Sequence, residues 1–342
     1  MNTIFEKGFA MIVDIHTHMI RGKDLDAIAA AGGESAGKAI ESSMRQIGKK
    51  PQATEVAARV AQLDRFHYDY QLATPVPTLD PSRLPVDVAT EVKVARAVND
   101  SMARITEDSK GRILCAGAVP MSALTNEGPK EMERAMKNGL KGFSLMTNIK
   151  GKPLDAAEFR PFWALASKLN AAVFIHPVDP VGKKDRAYED EYDLMHVFGW
   201  PFESTLTICR LVFSGIMEEF PNLKIVTHHL GGMIPFYWGR IEESYVPDYV
   251  GKTNVKLKKS LKENFSKFFY DTAVANNPGA IKCSYAIFGA DQIVFATDAP
   301  FGPGSGDDRL ESYPKIIKGL GLSAQETDKI MGGNGKKILG IE

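Results

Sequence analysis

Residues 11–18 read Met-Ile-Val-Asp-Ile-His-Thr-His, an apolar run that ends in two histidines, His16 and His18. Side chains on a β-strand alternate between its two faces, so positions i and i+2 point the same way. The run therefore presents two imidazoles on one side of a strand end. The same pattern recurs downstream. VFIHP closes on His176, KIVTHHLGG on His228 and His229, and VFATDAP on Asp298. Only seven histidines occur in 342 residues, so their gathering at strand ends calls for an explanation. Each taken alone has an ordinary reading: a polar strand end for His16 and His18, a structural imidazole for His176. A buried aspartate without a partner is costly, so a metal or a histidine beside Asp298 explains its position better than packing does. Together they form the donor set of a catalytic divalent metal, which keeps one position open for water or substrate. His228 and His229 are neighbours and face opposite ways, and periodicity does not choose between them.

Working outward, short apolar runs span Met11–His16, Tyr68–Pro75, Ile113–Val119, Leu140–Leu145, Ala171–His176, Leu223–His229, Lys267–Thr272 and Gln292–Asp298. Helical spacing fills the intervals: Thr54–Phe66 behind a Thr54 cap, Pro85–Asp108, Glu127–Asn138, Ala156–Asn170, Ser204–Phe220, Pro235–Tyr245, Pro278–Phe288 and Leu310–Gly319. Eight alternations predict an α/β fold, the (β/α)8 TIM barrel, with strands buried on both faces. A doubly wound open sheet is the alternative, but no GxGxxG follows the first strand. The candidate ligands fall at the ends of strands 1, 5, 6 and 8, the face on which barrels carry their sites. A barrel needs about 250 residues. The surplus lies in insertions after strands 1 and 5: Met19–Ala53, rich in Gly, Ala, Ser and Lys, and Pro177–Glu203, rich in charge and aromatics. Both read as long loops over the catalytic face. With no internal repeat or low-complexity linker, residues 1–342 read as a single domain.

The 42 basic and 42 acidic residues balance, which argues against a polyanion-binding surface and hence against nucleic acid. The lysine-rich stretch Lys252–Lys267 alternates with apolar residues and reads as a solvated helix face. Cys115, Cys209 and Cys283 are widely spaced in apolar segments, forming neither a disulfide framework nor a CxxC site. Glu6 and Asp14 flank too short an apolar stretch for a signal peptide, and no run reaches the ~18 apolar residues of a membrane span. The expectation is a cytoplasmic protein with no membrane partner.

The motifs DIHTH, FIHP, WPFEST (Trp200–Thr205), FPNLKIVTHHLGGMIPF with Gly239-Arg240, and FATDAPFG together resemble the amidohydrolase superfamily. The resemblance is to its amidohydrolase 2 branch, which holds aminocarboxymuconate-semialdehyde decarboxylase and γ-resorcylate decarboxylase, and it covers nearly the whole chain. It implies that His16, His18, His176 and Asp298 bind one metal. His229 then touches the metal water or the substrate, and His228 is left as packing or support. It also implies arginines for a substrate carboxylate, one reaching across a homodimer interface. Arg240 has the matching spacing after His229, and Arg45 is the weaker match in the first insertion. Binuclear relatives carry a carboxylated lysine at the end of strand 4. Here Lys141 precedes that strand and Lys150 lies beyond it, so one metal is expected. Three histidines and a carboxylate suit zinc first, with manganese as the alternative. His67 reads as a surface residue and His196 as a candidate lining of the mouth.

Two chemistries share this ligand set. By resemblance the first is metal-dependent, non-oxidative decarboxylation of a small aromatic or unsaturated carboxylic acid, with Asp298 or His229 handling the proton and Trp200 and Phe301 as apolar walls. The second is a hydrolase or hydratase that uses a metal-activated water on a lactone, ester, amide or C=C bond. A structural metal site would close all four positions with protein, unlike an open barrel mouth.

Overall fold

The computed structural model describes residues 9–47, 50–179, 192–245 and 256–341. Lys183, Lys184, Arg186 and Tyr188 of the second insertion, Glu6, and the first residues of the Lys252–Lys267 stretch lie outside them.

Eight parallel strands run in chain order: β1 Val13–His18, β2 Tyr70–Thr74, β3 Ile113–Cys115, β4 Gly142–Met146, β5 Ala172–His176, β6 Lys224–Thr227, β7 Phe268–Asp271 and β8 Ile293–Val294. Regular ladders join β1 to β3 and β4 to β8. Parallel bridges close both remaining gaps. Gly117 pairs with Phe143, with Gly117 N donating to Gly142 O at 2.9 Å, and Thr17 pairs with Ala299, with His18 N donating to Ala299 O at 2.8 Å. The sheet is thus a closed barrel, as the strand–helix alternation predicts. The last strand is shorter than its apolar run because residues 295–299 rise toward the mouth, held to β1 by Ile15 N to Phe295 O (2.9 Å) and Asp298 N to His16 O (2.9 Å).

Val13, Ile15, Leu72, Leu114, Ala172, Phe174, Val226, Val294 and Ala296 form one buried cluster, the packed interior of the barrel, and Ile338 and Leu339 join it. Period-two spacing carries this inner face upward. Ala172 and Phe174 are followed by His176, Val226 by His228, and Val294 and Ala296 by Asp298. Strand β1 breaks the rule. Asp14 pairs with Gln71 but Thr17 with Ala73, so three steps on β1 match two on β2. This bulge turns both Ile15 and His16 to the inner side, moving the strand from an apolar phase to a histidine phase.

A second, larger core lies between strands and helices, with Trp163, Phe143, Phe162 and Phe268 fully buried. Burying each such side chain contributes about 1.5–3 kcal/mol. The principal helices are α1 Leu25–Ile47, α2 Val56–Phe66, α3 Val88–Asp108, α4 Glu127–Lys137, α5 Arg160–Lys168, α6 Trp200–Phe213, α7 Ile234–Glu243, α8 Pro278–Phe288 and α9 Asp307–Lys318. Asp87 caps α3 by accepting from Thr90 N, and Asn277 caps α8 by accepting from Ala280 N.

Four expectations are corrected. The first insertion is not a loop, since α1 occupies most of it and packs along α3. A Cβ on Gly32 would come within 2.7 Å of Val94, so the glycine there serves close helix approach, and the kink falls at the next residue, Gly33 (φ 60°). Thr54 does not cap α2, because it ends a short turn, Pro51–Thr54, and Glu55 precedes the helix. The helix expected over Ser204–Phe220 starts earlier and breaks at Gly215 (φ 80°) before Ile216–Glu219. In the lysine-rich stretch, helix among the described residues is confined to Leu261–Phe265, behind a Ser260/Glu263 capping box. The three cysteines are free, and no helix among the described residues is long and apolar enough to cross a membrane.

Candidate metal centre

The barrel brings His16, His18 and His176 together, each offering one ring nitrogen within 4.8 Å of the others. Asp298 joins them. Its Oδ1 lies 3.3 Å from His18 Nε2 and 3.6 Å from His16 Nε2. His16 and His18 are fully buried and His176 nearly so. The mouth is walled by aromatics. Phe301 meets the His18 ring edge-on at 5.4 Å, and Trp200 meets His176 at 5.7 Å while donating Nε1–H to Asp179.

The hydrogen-bond partners of the rings assign their protons to Nδ1. His16 Nδ1 donates to Asp271 Oδ2 at 2.8 Å, and His176 Nδ1 to the Pro177 carbonyl at 2.6 Å. Thr74 Oγ1 spends its only proton on the Thr17 carbonyl, so at 2.9 Å it accepts from His18 Nδ1. With each Nδ1 so engaged, the Nε2 atoms are the positions left for a metal ion. Two of them, on His16 and His18, sit 3.2 Å apart with the Asp298 carboxylate beside them. Ring nitrogens and a carboxylate crowded so closely call for a cation between them, so the donor set fits a divalent metal. Burial lowers the basicity of His18, and burial with the neighbouring rings holds His176 well below its ordinary value. Both are then neutral, as metal ligation requires. Burial also opposes charge on His16, but Asp271 outweighs it and raises that ring. The same negative field favours a metal ion.

Asp271, at the end of β7, was not singled out from the sequence. Its Oδ2 accepts from His16 Nδ1 and, at 2.7 Å, from His228 Nδ1, while its Oδ1 accepts from the backbone N–H of His229 (2.8 Å) and Ala273 (3.0 Å). Burial alone would raise this carboxyl, yet His16 and His228 hold it well below the usual range. His228 stacks on His16 at 3.4 Å with the rings 17° apart, and burial lowers its pKa to about 3. With both Nδ1 atoms on one carboxylate oxygen, the two Nε2 edges lie side by side. His229 follows the strand in a turn at φ 54°, and its Nδ1 donates to Ala273 O at 2.7 Å, leaving Nε2 as an acceptor. Its ring lies 5.4 Å from His16 and 6.1 Å from His176. Both histidines of the pair therefore reach the site, His228 by alternation and His229 through the turn.

The remaining candidates lie apart. Arg45 is exposed and pairs with Glu41 one turn away, and Arg240 is exposed on α7. No hydrogen bond or ion pair among the described residues joins either to the histidines. Lys50, not singled out beforehand, reaches the mouth instead, its Nζ donating to the Pro300 carbonyl at 3.1 Å. His67 is exposed at the end of α2. His196 packs on Trp200 at 4.8 Å and bonds Asp193 at the rim. Lys150 pairs with Glu91.

Comparison with known proteins now decides the family. The amidohydrolase family model matches residues 13–341. The chain belongs to that family. Among curated relatives, 2-amino-3-carboxymuconate-6-semialdehyde decarboxylase of Dictyostelium discoideum is 31% identical over 83% of this chain and 76% of that protein. Among solved structures, 5-carboxyvanillate decarboxylase from Sphingomonas paucimobilis superposes with a TM-score of 0.80 at 23% identity, covering 97% of this chain and 99% of that one. Dihydroxybenzoic acid decarboxylase from Polaromonas sp. JS666, crystallised with manganese and the inhibitor 2-nitroresorcinol, gives 0.77 at 19% identity, with 97% of each chain covered. These relatives are carboxy-lyases, and this amidohydrolase is an enzyme of that kind.

Proposed function

We propose that this amidohydrolase is a metal-dependent, non-oxidative decarboxylase of a small aromatic or unsaturated carboxylic acid. The observation that carries the reading is the convergence of three imidazoles and the Asp298 carboxylate at an aromatic-walled barrel mouth. His16, His18, His176 and Asp298 would hold one divalent ion, zinc or manganese, and its bound form supplies Lewis-acid polarisation of a substrate oxygen. The names of the similar decarboxylases support loss of CO2 over hydrolysis.

In the reaction the bond from carbon to carboxylate breaks and its electron pair stays on that carbon, which then takes a proton as CO2 leaves. His229 is suited to carry that proton. Its Nδ1–H is tied to Ala273, so Nε2 takes the proton and delivers it. Trp200 and Phe301 exclude water from the ring face, and the Lys50 ammonium binds a carboxylate oxygen from the position first expected for Arg45.

The chain acts as a homodimer in the cytoplasm, and Arg240 serves the neighbouring copy. Exposed Val197, Phe198, Phe202, Leu206, Phe236 and Tyr237 support this. They lie on adjoining segments tied by Met233 N to Thr205 Oγ1, and Arg240 follows Phe236 by one helical turn. Sedimentation of Phe236→Glu should give a monomer with a raised KM; a wild-type monomer would remove the interface.

The deciding assay follows CO2 release from hydroxylated benzoates and unsaturated amino- or keto-acids, beside hydrolysis of esters and lactones, on protein loaded with zinc or manganese. Metal-dependent CO2 release that is lost in Asp298→Asn is expected. Hydrolysis without CO2 release would overturn the reading.

A further inference from the structure

Asp298 is gripped from two sides. Its Oδ1 faces the histidines, while its Oδ2 accepts a hydrogen bond from Arg309 Nη1 at 2.9 Å. The same nitrogen also reaches the Thr297 carbonyl at 3.3 Å. Arg309 stands in the first turn of α9, and its side chain is only 20% exposed. Room for it is built in: a Cβ at Gly302 would lie 2.6 Å from Arg309 Nε, and Gly302 is also held at φ 92°. A carboxylate has two equivalent oxygens and a soft terminal torsion, so without a second partner it can rotate or turn both oxygens to one cation. A guanidinium on one oxygen removes that freedom and adds a charge-assisted hydrogen bond.

We infer that Arg309 is a positioning residue for the metal centre, fixing Asp298 so that Oδ1 alone is presented to the ion. The inference rests on the metal-site reading above. Arg309 serves Asp298 on the β8 side as Asp271 serves His16 on the β7 side, and neither partner needs to touch the substrate.

The test compares wild type with Arg309→Met, Arg309→Lys and Gly302→Ala. It measures Mn2+ and Zn2+ affinity by competition with a chromogenic chelator, kcat and KM at saturating metal, and melting temperature. Arg309→Met should weaken metal binding about 10–100-fold, the usual loss when the partner of a metal ligand is removed. Its kcat should fall with KM little changed. Arg309→Lys should recover part of both, because it restores charge without the planar fork. Gly302→Ala should shift both in the direction of Arg309→Met, since it displaces the guanidinium without removing it. Wild-type metal affinity in Arg309→Met would overturn the inference. So would a raised KM with unchanged kcat and metal affinity, which would make Arg309 a substrate contact. If Arg309→Met does not fold, Arg309→Lys and Gly302→Ala decide by the same criteria. Wild-type protein that binds neither ion would overturn the metal reading itself, and this inference with it.

Discussion

The β7 and β8 sides of the barrel mouth each present one carboxylate to the histidines, and the two are built for different tasks. Asp271 is fully buried and both its oxygens are spent on protein donors: two imidazoles and two backbone amides. Asp298 is partly open, and its Oδ1 faces the Nε2 atoms of His16 and His18, the positions left for a metal ion. A carboxylate whose acceptors are all satisfied is a fixed element of the frame. One whose neighbours are acceptors is waiting for a cation. The contrast teaches that residue type and a place at the mouth end of a strand run, which the two share, do not determine role. The protonation state of the neighbours does.

The largest way to break the comparison is Asp298→Asn. Losing a charged ligand should lower kcat by about 10²–10⁴-fold, read as CO2 release, while melting temperature stays near wild type. Asp271→Asn should do the reverse in emphasis. The new amide N–H would face either the backbone N–H groups of His229 and Ala273 or the two Nδ1–H groups, and the buried histidines would lose their counter-charge. Stability should drop by roughly 3–5 kcal/mol by denaturant titration, with metal affinity down about 10–100-fold. Equal losses of stability in the two variants would erase the distinction.

Lys50→Ala tests the rim. A hydrogen bond to a charged group contributes about 1.5–3 kcal/mol, so KM should rise about tenfold or more, whereas Arg45→Ala should leave it unchanged. The opposite ranking would return the carboxylate contact to Arg45.

A third carboxylate sharpens the comparison at the smallest scale and away from catalysis. Asp80, beyond β2, is buried, and its hydrogen bonds come from Ser82 N and Oγ. Burial raises its pKa from 3.8 to about 6. The fold therefore favours its neutral form, and the stability this confers is full below pH 3.8 and lost as pH rises through about 6. Asp80→Asn should match wild type near pH 4 and exceed it near pH 7.5 by up to about 3 kcal/mol, at roughly 1.4 kcal/mol per pH unit. A stability difference that does not change with pH would assign the ionised carboxylate a partner.

Much of this was legible in the chain because the ligands close apolar runs, where alternation dictates the face on which they emerge. His176 and Asp298 follow their inward-facing neighbours by twos, and the approach of His16 to His18 follows from i, i+2 spacing. What alternation could not reveal is the bulge between Asp14 and Thr17, because a ladder offset is a relation between two strands. Asp271 was missed because FFYD reads as an ordinary strand, although a charged residue closing a buried run is the same signal that marked Asp298. Lys50 stands far from the ligand motifs in sequence and Arg309 lies eleven residues beyond Asp298 at no strand end, so neither carries the signal that marked the ligands. The helix in the first insertion was hidden by its glycines, one of which is there for contact with Val94 and not for looseness.

The bulge in β1 has a consequence for how such a barrel changes over time. Below it the strand obeys the packing demands of the interior; above it the strand obeys the demands of coordination, and the offset keeps the two registers from constraining each other. Ile15 can drift among apolar residues of similar volume without disturbing the rings above. The histidines can be exchanged for another donor set without reopening the interior. One strand thus carries two independently heritable instructions, and the junction between them costs a single residue.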